Sequence, residues 1–288
     1  MKVLITGAHG QVGRALTNRA PAGAELTTLA HQDLDIGDER AVGSFVEKLT
    51  PDLIINAAAY TAVEKAESDV DTATRVNVAG SRNLAQAASK SNARLIHLST
   101  DFVFDGESST PYLPDAPTNP LNVYGLTKLG GERTVLQTLP KRSVVLRTAW
   151  VYAAVGSNFL LTMLRVMKAN GAVKVVADQI GTPTSANTLA DVIWKIAGRD
   201  EITGVYHCTD AGVASWYDFA VAIAEEGAAL GLLPNTVAVT PIAANEFPTR
   251  ARRPGFSVLD KQSLVALGIE LVHWRKALRE VMKEIPRA

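Results

Sequence analysis

A glycine-rich loop at the start of the chain constrains its fold more than any other stretch. The apolar run 2–6 ("KVLIT") leads directly into Gly7, Gly10 and Gly13, spaced G-x-x-G-x-x-G, and a helical pattern follows. Glycines let the backbone turn tightly and approach a pyrophosphate, which the N–H groups and the dipole of the following helix stabilise. The strand before the loop and the helix after it are the context that this motif needs. The sequence therefore predicts a dinucleotide-binding loop, with a ligand-free tight turn as the alternative.

Strand and helix patterns alternate through the first half of the chain. Short, nearly continuous apolar runs separated by helical patterns are typical of a parallel sheet covered on both faces. Right-handed crossovers then give an α/β fold, a Rossmann-type doubly wound parallel sheet. The predicted strands span 2–6, 25–29, 52–58, 94–100 and 143–149, and the predicted helices span 11–20, 38–49, 69–91 and 124–139.

The pattern becomes less regular after about residue 150. We expect residues 1–150 to form an NADP-binding domain. Residues 151–288 should form mainly a small C-terminal substrate-binding lobe, interleaved with the first domain at the carboxyl edge of its sheet. In this second part the sequence predicts helices over 158–171, 186–199, 215–230 and 273–285, a strand over 173–179 and a Pro- and Arg-rich loop over 237–260.

Charge and cysteine content narrow the class of protein. Lys plus Arg is 29 and Asp plus Glu is 29, so the balanced charge gives no reason to expect nucleic acid or a membrane surface as partner. Cys208 is the single cysteine, so no disulfide can form within the chain, which fits a reducing compartment. We expect Cys208 to be a small buried residue rather than a nucleophile. The first apolar run is too short for a signal peptide, and we expect a cytoplasmic protein.

The end of the second strand bears on the choice of cofactor. An acid there favours NAD by binding the ribose hydroxyls, but the sequence has Ala30 and His31. With no carboxylate to repel a 2′-phosphate, we expect NADPH and leave tolerance of NADH open. Asp33 is a later candidate for the ribose. Asp35 with Ile36 suits an adenine contact, while a turn capped by Asp35 is an equal alternative.

Polar residues follow the third and fourth strands, where a parallel sheet binds ligands. Tyr60 and Thr61 come after the third strand, and Thr100 ends the fourth. Tyr124 and Lys128 follow at a spacing that puts both on one helix face. Reduction of a carbonyl needs a proton donor. A nearby ammonium should lower the pKa of the phenol, normally about 10, and a hydroxyl should share the developing charge.

Segments along most of the chain resemble the dTDP-4-dehydrorhamnose reductases, a family of extended short-chain dehydrogenases/reductases. The glycine loop and Y-x-x-x-K are shared by many sugar-nucleotide enzymes, whereas "RTAWVY", "DQIGTPT" and "RPGFSVLD" are more specific to this family. The other matching segments are "GAHGQVG", "LDIGD", "PDLIINAAAYTAVEKAES", "LSTDFVFDG", "PLNVYGLTKLGGE" and "NFLLTML".

The resemblance implies roles for the matching residues. It assigns the catalytic triad to Thr100, Tyr124 and Lys128. It assigns cofactor contacts to Gly7, Gly10, Gln11, Val12, Gly13, Asp35, Ile36, Ala59, Tyr60, Thr61, Leu98, Tyr124 and Lys128. It assigns contacts to the sugar nucleotide to Val63, Thr100, Asp101 and Trp150.

Trp150 and a pair of arginines keep a plainer alternative. Trp150 follows a strand, so a core aromatic is the alternative, but its place at the carboxyl end favours the site. Arg253, with Arg252 beside it, could contact the diphosphate of the sugar nucleotide, or the pair could be a solvated basic loop. We keep Trp150 and Arg253 as predicted substrate contacts.

The chain also departs from the family. Some members carry glutamates for a magnesium-bridged dimer, one just after the glycine loop, where this chain has Gly13, Arg14 and Ala15. We therefore expect no metal, and a monomer or weak dimer. Phe102 stands where the family often has tyrosine, which removes a hydroxyl near the substrate.

The resemblance implies an activity. We expect NADPH-dependent reduction of the C4 ketone of dTDP-4-dehydro-6-deoxy-L-mannose to dTDP-L-rhamnose, a precursor of cell-surface polysaccharide. The hydride would come from the nicotinamide and the proton from Tyr124. The alternatives are another dTDP-deoxysugar 4-ketoreductase and a non-catalytic NADP-binding regulatory subunit.

Overall fold

Apolar segments buried on both faces form the strands at the centre of the molecule. The computed structural model describes residues 1–234 and 237–286. Its strands are β1 (Lys2–Thr6), β2 (Glu25–Leu29), β3 (Leu53–Asn56), β4 (Arg94–Thr100), β5 (Ser143–Thr148), β6 (Val151–Tyr152), β7 (Ala172–Val176), β8 (Ile180–Gly181), β9 (Thr184–Ser185), β10 (Gly204–His207), β11 (Ala214–Ser215) and β12 (Ala238–Ile242).

Six of these strands form one parallel sheet in the order β2-β1-β3-β4-β5-β10. Every residue of β3, β4 and β5 is buried, as expected for strands that are covered on both sides. The strand order reverses at β1, which lies between β2 and β3. Ligands bind at the carboxyl ends of strands beside such a reversal, so this point locates the expected site.

Helices cover both faces of the sheet. They are α1 (Gln11–Asn18), α2 (Glu39–Leu49), α3 (Val63–Ala66), α4 (Val70–Thr74), α5 (Ser81–Ser91), α6 (Val123–Thr138), α7 (Phe159–Asn170), α8 (Ala186–Ala197), α9 (Trp216–Ala229), α10 (Gln262–Val265) and α11 (Trp274–Lys283). α1 and α8 share one core with the sheet, and α2, α5 and α6 share the core on the opposite face. The doubly wound α/β fold predicted from the sequence is confirmed.

The predicted helix 69–91 is helical from Val70 onward but contains a π-helical turn, Arg75–Gly80, between α4 and α5. π-turns insert one extra residue into a helix and occur often at functional sites. Here the turn contains Asn77, which is buried and contacts the segment after β3. Periodicity did not reveal it, because a single inserted residue barely disturbs the apolar pattern.

The second lobe is built around a small parallel pair of strands, β7 and β12. α7, α9 and α11 share its core, in which Phe219 and Leu278 are fully buried. The prediction that 237–260 is loop is wrong at β12. Pro241 argued against a strand, but a two-stranded pair has free edges that tolerate proline.

The two halves of the chain are interleaved in space. β10 adds to the sheet beside β5, and α8 packs against α1, although both follow residue 150. The assignment of 1–150 to NADP and 151–288 to substrate stays a prediction. Among the helices described, none is long and apolar enough to cross a membrane.

Candidate active site

The glycine loop is shaped by close backbone contacts. A Cβ on Gly7, whose φ is +73°, would lie 2.6 Å from the backbone of Ala57, and one on Gly13 would lie 2.3 Å from the carbonyl oxygen of Gly7. Larger residues would therefore force apart the loops that follow β1 and β3. α1 begins after Gly10 without a side-chain cap. Its first N–H groups are available to an anion, as the pyrophosphate prediction requires.

Gln11 and Val12, also predicted in this loop, have different surroundings. Val12 is partly buried and packs against the core that α1 shares with the sheet. The side-chain oxygen of Gln11 accepts a hydrogen bond from Asn158 at 2.9 Å. Asn158 caps α7, so this bond joins the loop to the second lobe.

The segment after β3 is held by Asn77 of the π-turn. Its side-chain oxygen accepts the Tyr60 N–H at 2.9 Å, and its amide donates to the Tyr60 carbonyl at 3.2 Å and to the Thr127 hydroxyl at 3.0 Å. Ala59 therefore lies on a fixed stretch of backbone next to the glycine loop. Thr61 is exposed beside it, while the Tyr60 phenol donates to Asp69 at 3.1 Å.

Two acids near the end of β2 close turns of the backbone, and a contact from Asp33 to the ribose stays a prediction. The Asp33 carboxylate accepts the Ala30 N–H at 2.8 Å, so it closes a turn. Asp35 likewise closes a turn by accepting the Gly37 N–H at 2.9 Å, and Arg75 donates to its other oxygen at 2.5 Å. Asp35 thus has the turn-capping role that the sequence left as an alternative.

Ile36 differs from the simple expectation of an adenine contact. Its side chain is 4% exposed and packs against Gly80, where a Cβ would come within 2.7 Å of it. The Ile36 carbonyl accepts a hydrogen bond from Asn83 at 2.9 Å. The side chain of Ile36 packs in the core, and a contact from Ile36 to the cofactor stays a prediction.

The predicted catalytic residues come together at the carboxyl end of β4. Thr100 ends the strand, and Tyr124 lies on the first turn of α6 with its ring edge-on to Phe102 at 5.6 Å. Lys128, one turn further along α6, is 3% exposed and donates from Nζ to the Leu98 carbonyl at 2.6 Å. Leu98 therefore fixes Lys128 through its backbone.

Three contacts fix the start of α6. Asn122 accepts the Gly125 N–H at 2.8 Å, and Glu67 accepts the Val123 N–H at 2.8 Å. Both serve the free N–H groups of a first helical turn. Gly125 lets the helix approach β4, since a Cβ there would lie 2.2 Å from the Phe102 carbonyl oxygen. These contacts therefore hold Tyr124, in the first turn of α6, in place.

Burial determines the charge states of this group. Desolvation raises the pKa of Tyr124 to about 12, although the Thr100 hydroxyl lowers it. The prediction of a lowered pKa for this phenol is wrong in direction, because desolvation by burial is the largest cause of the shift and raises the pKa. Desolvation lowers the pKa of Lys128 to about 8, partly opposed by Glu132. At neutral pH the phenol keeps its proton and is competent to donate it.

A buried ion pair between Glu132 and Arg147 also holds α6 in place. Glu132, one turn beyond Lys128, accepts from Arg147 at 2.7 and 2.9 Å and from the Ser99 hydroxyl at 2.5 Å. Both charged side chains are almost fully buried. Removing either partner would leave an uncompensated charge in the core, so the pair fixes α6 against β4 and β5.

Trp150 has a strained backbone in a stacked arrangement. Its φ is +48°, a left-handed value that is unusual for a bulky residue. The indole stacks on Trp216 with ring centres 3.5 Å apart, and a Cβ on Gly181 would lie 2.6 Å from it. Aromatic, polar and cationic groups line a small pocket beside the catalytic residues: Phe102, Trp150, Gln179, Trp216, Arg253, Pro254 and Ser257.

The two arginines have different places. Arg253 lines this pocket and donates to Glu64 of α3 at 2.8 Å, next to Val63. Arg252 lies 3.9 Å from Glu107 with 72% of its side chain exposed, so it belongs to a solvated basic loop. Arg252 thus fits the alternative of a solvated loop, while a contact from Arg253 to the diphosphate stays a prediction.

Sequence reasoning missed Asn77, Gln179, Trp216 and Ser257. Gln179 and Ser257 lie inside segments that carried the family resemblance, which was the signal available for them. Asn77 and Trp216 sit in helical patterns, and only the fold brings them to the site. Cys208 is fully buried, as predicted.

The residues fit a dinucleotide cofactor better than a metal. Glycines at positions where side chains would collide, and uncapped N–H groups at α1, suit a pyrophosphate. Within residues 1–234 and 237–286, no cluster of three His, Cys, Asp or Glu side chains could hold a metal ion.

The chain is similar to known proteins along nearly its whole length. The family model described as RmlD substrate binding domain matches residues 1–286. A dTDP-4-dehydrorhamnose reductase from Aggregatibacter actinomycetemcomitans is 42% identical, covering 97% of this chain and 98% of the relative. A probable dTDP-4,6-dihydroxy-2-methyloxan-3-one 4-ketoreductase from Streptomyces antibioticus is 41% identical, covering 99% and 96%. The crystal structure of dTDP-4-dehydrorhamnose reductase from Bacillus anthracis in complex with NADP is 33% identical with a TM-score of 0.93, covering 98% and 99%.

Proposed function

This chain belongs to the RmlD substrate-binding-domain family, and we propose from that premise that it reduces dTDP-4-dehydro-6-deoxy-L-mannose to dTDP-L-rhamnose with NADPH. The observation that carries the proposal is the juxtaposition of Thr100, Tyr124 and Lys128 with an aromatic pocket, at the carboxyl edge of a sheet whose first loop suits a dinucleotide. A regulatory binding module would not need this proton donor.

NADPH would be held along the carboxyl edge of the sheet. The glycine loop, Gly7 to Gly13, would bind its pyrophosphate through N–H groups. Ala59, Tyr60 and Thr61 would bound it on the β3 side, and Lys128 would bind the nicotinamide ribose. Ala30 and His31 carry no carboxylate, and the Asp33 carboxylate beside them is engaged by the Ala30 N–H, which supports a preference for the 2′-phosphate. NADPH, when bound, supplies the hydride for C4.

The protein residues supply the proton and the charge stabilisation. Tyr124 keeps its proton at neutral pH and donates it to the ketone oxygen as negative charge develops there. The Lys128 ammonium, held by Leu98 in a desolvated site, stabilises that charge at short range. General acid catalysis of this kind contributes about 10²–10⁴-fold in rate.

The pocket of Trp150 and Arg253 would take the sugar nucleotide. The guanidinium is suited to a diphosphate, and aromatic rings are suited to the faces of a sugar. Val63 and Asp101 would complete these contacts, as the family resemblance implies. Phe102 offers only a ring edge where the family often has a hydroxyl.

A second candidate is a 4-ketoreductase for another dTDP-deoxysugar. The Streptomyces antibioticus relative is as similar in sequence as the reductases of dTDP-4-dehydrorhamnose, and it carries the name of such an enzyme. The two candidates share a fold and a proton donor and differ in the sugar that the pocket accepts.

The location and assembly are also proposals. A reducing cytoplasm is supported by the single, fully buried thiol of Cys208. A monomer or weak dimer is supported by Arg14 and Ala15 standing where some family members have a metal-binding glutamate.

The decisive experiment is an assay of the purified protein with NADPH and a panel of dTDP-4-keto sugars. Oxidation of NADPH only with dTDP-4-dehydro-6-deoxy-L-mannose, giving a product that matches dTDP-L-rhamnose by NMR, is the expected result. A product of other C4 stereochemistry, or a preference for another sugar, would establish the second candidate. Binding of NADPH without oxidation on any sugar would indicate a regulatory subunit. Repeating the assay with NADH tests the cofactor preference.

A further inference from the structure

The hydroxyl of Thr100 is already committed to another group. It donates to Asp101 Oδ1 at 3.0 Å and accepts the Phe102 N–H at 3.2 Å. A hydroxyl has a single hydrogen and two lone pairs, so this arrangement leaves Thr100 one lone pair and no hydrogen. In this state Thr100 can accept a hydrogen bond from the phenol of Tyr124, but it cannot donate one to a ketone oxygen.

Asp101 is placed unusually for an ionised carboxylate. The residue is 1% exposed, and its Oδ2 makes no hydrogen bond within the described residues. A buried carboxylate oxygen without a partner carries a large desolvation cost, which protonation removes. Burial raises the pKa of Asp101 to about 6, although the hydroxyls of Ser257 and Thr100 lower it.

We propose that Asp101 acts as a neutral carboxylic acid during reduction and sets the direction of the Thr100 hydrogen bond. A protonated Asp101 donates to the Thr100 oxygen, and the Thr100 hydrogen then turns toward the ketone oxygen. An ionised Asp101 takes that hydrogen for itself. Asp101 is a positioning residue in this role, and the role rests on the proposed ketoreductase function.

The groups that face Asp101 determine whether a rate change near pH 6 can be assigned to it. From α6 the phenol of Tyr124 faces it, and from the segment after β12 the Ser257 hydroxyl does. The charged side chain of the adjacent pocket, Arg253, is paired with Glu64 at 2.8 Å. Of these groups Tyr124 titrates far above neutrality, so a rate change near pH 6 should belong to Asp101.

The test compares the pH dependence of kcat in matched variants. In the native protein kcat should fall above about pH 6, at most about tenfold per pH unit, and should level off at the rate of Thr100→Ala, since ionised Asp101 only withdraws the Thr100 donor. Asp101→Asn cannot ionise, and Thr100→Ala removes the hydroxyl through which Asp101 acts. The fall in kcat above about pH 6 should therefore vanish in both variants, while a change near pH 8 from Lys128 remains. Thr100→Ser keeps a hydroxyl and should show the fall above about pH 6 again. Asp210→Asn is the control, because Asp210 is also buried with a pKa raised to about 6 but lies at the end of β10, bonded to the Ser185 N–H.

Three results would overturn the proposal. One is a native profile that is flat around pH 6 in an active enzyme. Another is a fall that persists in Thr100→Ala, since Asp101 would then act directly on Tyr124. The third needs no turnover: a ¹³C-aspartate NMR titration of the Asp210→Asn protein in which no buried carboxyl titrates near pH 6. Absence of turnover with every sugar would instead defeat the proposed function, which separates the two failures.

Discussion

At the scale of single residues, Tyr124 and Lys128 share a helix face but not a hydrogen bond. The Lys128 ammonium donates to the Leu98 carbonyl, and desolvation sets the pKa of Tyr124 at about 12. The phenol is therefore an acid that is fully protonated near neutrality. Its contribution to the reaction is to give up a proton to a developing oxyanion, which is more basic than itself.

Replacing Tyr124 with Phe tests this role. The variant keeps the ring that lies against Phe102 and loses only the proton, so we expect kcat to fall about 10²–10⁴-fold with little change in NADPH affinity. The measurements are steady-state kinetics and fluorescence titration with NADPH. Tyr112→Phe is the matched control, because Tyr112 is buried and its hydroxyl donates to Asp105, away from the site. Near-native turnover in a folded Tyr124→Phe protein would disprove the mechanism.

Residue-level expectations succeeded where they depended on local geometry. The four-residue spacing of Tyr124 and Lys128 places both on one face of α6, because helical periodicity is a local property. The pKa direction failed because it depends on burial, which several elements produce together. Asp35 shows the same limit, since its partner Arg75 is 40 residues away.

At the scale of elements, Trp150 owes its position to two separate segments. Trp216 begins α9 and stacks on one face of its indole, and Gly181 of β8 approaches it closely. A left-handed backbone at a bulky residue costs about 1–3 kcal/mol and persists only when the surroundings enforce it. These contacts therefore hold the pocket wall in a shape that Trp150 would not adopt alone.

Replacing Trp216 with Ala should release that wall. We expect KM for the sugar nucleotide to rise about tenfold or more, while KM for NADPH changes little, because Trp216 lines the pocket of Trp150 and Arg253. Loss of one aromatic pair accounts for about 0.5–1.5 kcal/mol of this. Trp216→Phe keeps a ring in the stack and should recover most of the affinity. Equal increases in both KM values would show a general disturbance of the fold instead.

The sequence predicted most elements and missed those whose signal is weak. β1 to β5 are apolar runs bounded by turns, and their parallel order follows from the helices between them. β12 was missed because Pro241 opposes a strand, and the π-turn because it changes the pattern by one residue. Trp216 gives no signal, since aromatic residues in helices usually belong to the core.

At the scale of the whole molecule, the core contains buried histidines and buried acids whose pKa values shift in opposite directions. His97 and His207 are fully buried, and desolvation keeps both neutral, lowering the pKa of His207 to about 3 with help from Arg147. Asp101 and Asp210 are buried acids whose pKa values rise to about 6. These pKa shifts cannot be predicted from the sequence, because the burial that causes them requires the complete sheet and both lobes.

The two kinds of group change stability in opposite directions as pH falls. The unfolded chain binds protons at histidine below about pH 6.5 while buried His207 does not, so this histidine removes stability on acidification. The folded protein protonates Asp210 below about pH 6, before the unfolded chain does near pH 4, so this acid adds stability over that interval. Each group contributes about 1.4 kcal/mol per pH unit in its range.

Two substitutions should separate these contributions in denaturant unfolding between about pH 6 and pH 4. Relative to the native protein, His207→Gln should gain up to about 1.4 kcal/mol of unfolding free energy for each pH unit of acidification, and Asp210→Asn should lose a similar amount. Only the slopes against pH matter, since either variant can shift stability at all pH values through packing. The double variant should return to the native slope, because His207 and Asp210 titrate independently. Slopes of the same sign in the two single variants would contradict this account of the core.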